Sequence, residues 1–132
     1  MRAAGSLPVW ALIVLTPAVV IPVFAHHSFS AEYDANKPVN VQGVVAKLAW
    51  VNPHAYIFFN VKDESGMTRE LRFELGPPYA LTRGGWKRDT VKIGDKISLE
   101  GAAVAKDPKN AWVGAMQTTS LILASGQKLP TR

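Results

Sequence analysis

Apolar and polar residues alternate along much of the chain with the two-residue period of half-buried strands. The alternation is cleanest from Arg69 to Leu75, with Leu71, Phe73 and Leu75 on one face and Glu70, Arg72 and Glu74 on the other. Before it, His54 to Lys62 sets Ile57, Phe59 and Val61 on one side, and Asp63-Glu64-Ser65-Gly66 has the composition of a hairpin turn between the two strands. Val39 to Val51 reads as a first strand, ended by Asn52-Pro53, and Gly43 within it predicts a bulge or bend. Pro77 to Gly84 opens on proline, carries Arg83 late and closes on glycine, the marks of a helix of about two turns. Lys96 to Gly101 then alternates Ile97 and Leu99 with Lys96, Ser98 and Glu100. A turn over Lys106 to Asn110 leads to a fifth strand from Trp112 to Leu123.

Three strands, a short helix and two more strands, with a glycine in the first, is the order of a small OB-like five-stranded barrel in a mainly β chain. Closure removes the edges that five strands would otherwise leave exposed. A small sandwich or an open meander is the alternative. The barrel domain spans 39–124. Residues 26–38 are polar with isolated aromatics Phe29 and Tyr33 and read as an extended arm, and 125–132 read as a polar tail. Residues 1–25 have the form of a signal peptide: Arg2, an apolar run from Leu7 to Ile21, and small residues at Val23 and Ala25. The run approaches the length of an uncleaved anchor, but Pro17 and Pro22 disfavour a continuous helix. Cleavage after Ala25 predicts a periplasmic or secreted protein that starts at His26 and keeps no membrane span.

Composition narrows the chemistry. With 132 residues, 48% of them hydrophobic, one core is the limit, and the lack of cysteine excludes disulfides, thiolate zinc sites and cysteine nucleophiles. Taking Arg2 from the 15 Lys and Arg leaves 14 against 10 Asp and Glu in the mature chain. That excess is too mild and too scattered to point to nucleic acid. The sequence shows neither a glycine-rich phosphate loop nor paired carboxylates at strand ends, and Ser28 beside His27 lacks the preorganised setting of a nucleophile. We therefore expect no enzyme.

The three histidines are His26, His27 and His54. A terminal His26 offers its amine and ring Nδ1 to one metal, and a second imidazole adds a third nitrogen, a set suited to copper(II). His54 supplies it if the arm folds back over the turn between the first two strands. His27 offers a competing mode through the amine, a deprotonated amide and its own ring. The bland account is a solvated His-His pair and a His54 that caps the next strand through one ring hydrogen bond. Glu32 and Asp34 are outer ligands or, more simply, surface charge. Trp50, Asn52, Tyr56 and Trp86 are the candidate binding residues for a small ligand, peptide, glycan or envelope protein, in a wall that Phe58 and Trp112 extend. Core packing is the competing account, favoured for Trp50 and Phe58. Trp86, beside Gly84, Gly85, Lys87 and Arg88, is expected at the surface.

At His26-His27-Ser28-Phe29, Tyr33-Asp34, Trp50-Val51-Asn52-Pro53-His54, Glu74-Leu75, Gly84-Gly85-Trp86 and Gly94-Asp95-Lys96-Ile97, the chain resembles a family of small exported bacterial proteins of unknown function. The likeness spans essentially the whole mature chain. It implies an exported barrel of OB type and brings no activity, ligand or catalytic residue. The expectation is an exported binding or accessory module with copper at its mature amino terminus. The alternative is a metal-free module that docks its partner through the aromatic and basic surface around Trp86.

Overall fold

The computed structural model describes residues 28–132, so the expected signal peptide, His26 and His27 lie outside the described residues. In chain order the elements are α1 (Phe29–Glu32), β1 (Tyr33–Ala49), β2 (Tyr56–Lys62), β3 (Thr68–Glu74), α2 (Pro78–Arg83), β4 (Lys96–Ala105), β5 (Trp112–Gly114), β6 (Ser120–Leu123) and β7 (Lys128–Pro130). Five strands close on themselves. β1 pairs with β2 through Val44 to Ala49 and with β4 through Tyr33 to Val44, while β3 pairs in parallel with β5 and β5 pairs with β4. The chain is thus mainly β, a closed five-stranded barrel with a short helix between the third and fourth strands, as its pattern predicts.

The alternation decides which side chains fill it. Ile57 and Phe59 of β2, Leu71 and Phe73 of β3, and Ile97 and Leu99 of β4 all point inward and are buried. Each such side chain contributes roughly 1.5–3 kcal/mol by leaving water. The peptide bond between Asn52 and Pro53, in the turn from β1 to β2, is cis.

Five expectations are corrected. The register of β1 shifts between Asp34 and Pro38 and between Val39 and Val41 against β4, and between Val45 and Lys47 against β2, with no bulge at Gly43. Gly43 answers a close approach instead: a Cβ there would lie 2.5 Å from the Asn60 carbonyl oxygen and 2.7 Å from the Phe59 ring. The fifth strand is two strands, because β5 and β6 take different stretches of one edge of β4, β5 at Ala103–Val104 and β6 at Ile97–Glu100. The extended arm is short helix α1 and the start of β1, with Tyr33 only 1% exposed. The polar tail carries β7, which pairs with β6 and buries Leu129 and Thr131. Phe58 is not a core residue; it points to the outer face of β2, where the Lys47 ammonium lies 5.2 Å from its ring centre.

Candidate functional site

Because Ile57, Phe73 and Val113 face the core, the residues between them along β2, β3 and β5 face out. Register brings them into rows: Tyr56 lies opposite Glu74 and Glu74 opposite Gly114, while Phe58 lies opposite Arg72 and Arg72 opposite Trp112. Gly114 leaves a dent in this face. A Cβ there would stand 2.7 Å from Phe29 Cε2 and 3.0 Å from Tyr33 Cδ1 and Cδ2, so these two rings occupy the space a side chain would take. They stack on each other at 4.8 Å between centroids.

That placement carries the Tyr33 hydroxyl to Glu74, where it donates to Oε2 at 2.7 Å. The other carboxylate oxygen, Oε1, lies 2.7 Å from Nδ1 of His54. Arg72 completes the cluster. Its Nη2 donates to the Tyr33 hydroxyl at 3.3 Å and stands 3.9 Å from Glu74 Oε2. Its guanidinium lies 3.7 Å from the Trp112 ring centre and 5.0 Å from that of Tyr56. A planar cation between two rings suits arginine and not lysine. Arg72 Nε is buried without a hydrogen-bond partner.

Burial, and then the hydrogen bond and charge of Glu74, push the Tyr33 phenol well above the ordinary tyrosine pKa, against the opposing effect of Arg72. Tyr56 is raised for the same leading reason, with the Glu74 charge second. Tyr33 is therefore a neutral donor to a carboxylate. Glu74 faces the Nδ1 side of the imidazole, so the nitrogen of His54 turned away from it is Nε2, and 30% of the side chain is exposed. A carboxylate behind an imidazole is the arrangement that fixes tautomer and ring direction at metal sites. Among the described residues, however, no three His, Cys, Asp or Glu side chains are grouped to hold a metal ion. Further nitrogen donors would have to come from the other two histidines of the sequence, His26 and His27.

Of the candidate binding residues, only Tyr56 joins this cluster. Trp50 packs partly buried against the core and lies 6.3 Å from Trp86 between ring centroids. Asn52 is exposed in the turn. Trp86 corrects the expectation of a surface residue: it is 2% exposed, and its indole N–H donates to the Pro130 carbonyl at 2.7 Å. The basic neighbours that suggested a surface follow it in the chain but do not share its burial. Trp86 therefore presents no ring to a docking partner. Asp34 is tied to its own stretch of β1, accepting from the Asn36 amide at 3.0 Å and facing Lys37 at 3.7 Å. Glu74, Arg72, Tyr33 and Gly114 are what the sequence reading missed. Alternation does place Glu74 and Arg72 outward, but an outward charged residue on a strand ordinarily signals a solvated face.

A separate groove of 540 Å³ runs over the outer face of β1, β2, β4 and β6 past Val44, Lys62, Lys96 and Ile122, and it contains none of the cluster. Among the described residues no helix is long and apolar enough to cross a membrane.

Fold and site together define a small closed β-barrel with a tyrosine–glutamate–histidine chain on its outer face. The protein belongs to a family of unknown function (DUF6152), which matches residues 14–112 and so takes in His26, His27 and all of the cluster except Gly114. Neither a curated protein nor a solved structure matches the chain.

Proposed function

We propose that this protein is an exported accessory module that binds copper(II) through His26, His27 and His54. The observation that carries the reading is the His54–Glu74–Tyr33 chain, which engages Nδ1 of His54 and leaves Nε2 to a ligand. Removal of the leader after Ala25 would give His26 an amine beside its own imidazole, and that pair chelates one metal. His54 Nε2 adds a third nitrogen from the rigid barrel, and such a nitrogen set suits the tetragonal preference of copper(II). His27 and its amide offer an alternative to the His26 ring within the same segment. The amine and the imidazoles bind as neutral groups, so affinity falls as pH drops from about 8 toward 6, where amines and imidazoles take up protons. No catalytic step is assigned to the module.

The test is a titration of the processed protein, beginning at His26, with copper(II) against a competing chelator. One-to-one binding is expected, weakened about tenfold or more by His54→Ala and by one extra residue placed before His26. Equal affinity in all three proteins rejects the reading. Mass spectrometry of the exported protein from its host must also show His26 as the first residue.

A further inference from the structure

The groove of 540 Å³ on the outer face lies apart from the tyrosine–glutamate–histidine cluster and is built unevenly along its length. The strands cross it in the order β3, β2, β1, β4, β6, so its two ends differ in chemistry. One end carries Asn60, Lys62 and Thr68 of β2 and β3, and the other carries Ile122, Leu123 and Ala124 at β6. Between them lie Val44 of β1 and Lys96 of β4, which register sets opposite each other. We propose that this groove binds a medium-chain fatty acid, with the carboxylate at Lys62 and Lys96 and the aliphatic chain laid past Ser98 to Ile122. The proposal stands independently of the copper reading.

The apolar end supplies the surface for a chain. Val44 is 39% exposed although strands flank it on both sides, and Ile122, opposite Ser98, is only partly buried. A lone exposed valine is ordinary, but here the apolar surface continues to Leu123 and Ala124 within one groove, whose volume is that of a small-molecule site. From β2 to β6 the groove crosses β1 and β4, a span of about 14–15 Å at the spacing of paired strands. An extended fatty acid fills that length and its head alone does not.

Charge selects the head. Among the described residues no carboxylate lines the groove, and no ion pair includes Lys62 or Lys96. The acidic residues next to them in the chain are engaged in their own turns. Asp63 Oδ1 accepts from the Ser65 amide at 2.9 Å and the Met67 amide at 3.0 Å, and Asp95 Oδ2 accepts from the Lys92 amide at 2.8 Å. Lysine stems lie along apolar surface and keep their ammonium groups at its rim, and their flexibility lets two of them meet one carboxylate. An acidic peptide fits less well. Val44 is paired with Asn60 and Lys96, and Ser98 with Gln42 and Ile122, so the floor offers no free strand edge for a peptide backbone to extend. Recognition falls to side chains, which suits an apolar chain with a charged head.

The experiment follows backbone amide shifts by NMR in the metal-free processed protein. The probes are laurate below its micelle concentration, dodecanol with the same chain and no charge, acetate as the head alone, and hexaglutamate as an acidic peptide. Laurate should bind one to one, shift the amides of Val44, Ser98 and Ile122, and bind about tenfold or more tightly than dodecanol, while acetate shifts nothing. Lys62→Gln and Lys96→Gln, both at exposed positions, should keep the parent melting temperature and each weaken laurate by about tenfold, with dodecanol unaffected. Equal affinity for laurate and dodecanol, or for laurate in the parent and both lysine variants, overturns recognition of the carboxylate. Shifts confined to other strands overturn the groove as the site. Hexaglutamate that displaces laurate from the same amides gives the groove to an acidic peptide and overturns the fatty acid.

Discussion

Glu74 spends each carboxylate oxygen on a different part of the chain, Oε1 on His54 twenty residues before it and Oε2 on Tyr33 at the start of β1. The Tyr33 end makes a prediction of its own. Its phenol holds its proton more tightly in the fold than in the unfolded chain, where the pKa is about 10. The stabilisation is fully present below that pH. Above it the unfolded chain loses the proton first, so stability falls as pH rises. Tyr33→Phe should cost roughly 1–3 kcal/mol near neutrality, because the part-buried Glu74 loses a donor. The difference between the two proteins, read from urea unfolding at pH 8 and pH 11, should narrow at the higher pH; a constant difference would show that the phenol's proton is not held by the fold. Trp86 is the second residue to test. Its burial and its bond to Pro130 predict a loss of about 3–5 kcal/mol on Trp86→Ala, whereas a surface tryptophan would change stability by only a few tenths. Charge in the neighbouring sequence misplaced it, since Lys87 and Arg88 say nothing about where the indole itself points.

At the scale of the element, the strands were readable wherever a two-residue period ran long enough to compete with chance. β3 is the clearest case, its inward Leu71 and Phe73 separated by outward Arg72. β7 offered only Leu129 between Lys128 and Pro130, too short a run for any period. Yet this strand completes a packing unit: Leu129 is buried, the Thr131 hydroxyl donates to the Thr119 carbonyl at 2.9 Å, and Pro130 accepts from Trp86. Deleting 126–132 should therefore destabilise the barrel by several kcal/mol, through the lost leucine and an indole N–H left without its acceptor. A thermal melt unchanged by the deletion would mean that β7 is an appendage. Gly43 teaches a related lesson about glycine within strands. A sequence shows that a side chain is missing but not whether the backbone bends there or a neighbour approaches, and here the Asn60 carbonyl and Phe59 ring do the approaching. Gly43→Ala should accordingly cost about 1–3 kcal/mol by forcing β1 and β2 apart, measurable as a lower urea midpoint at unchanged slope.

For the molecule as a whole, the barrel order was legible from its elements, but the site was not, because the cluster joins Tyr33, His54, Arg72, Glu74 and Gly114 across three strands and a turn. Only closure of the barrel makes them neighbours. That dependence separates the proposed site from a copper-binding tag. The terminal amine, His26 and His27 exist in the unfolded chain as fully as in the folded one, so metal held by them alone stabilises neither state over the other. His54 is different, because its ring comes near those donors only when the barrel is formed. If His54 strengthens binding ten- to a hundredfold, saturating copper should stabilise the folded protein by about 1.4–2.7 kcal/mol. In a domain of this size that is a rise in melting temperature on the order of 5–15 °C. His54→Ala should still bind copper through its terminus and yet melt at nearly the same temperature with and without it. An equal rise in both proteins would place the metal's contribution outside the His54–Glu74–Tyr33 chain, and the barrel would then be a carrier of the terminal histidines without being part of their site.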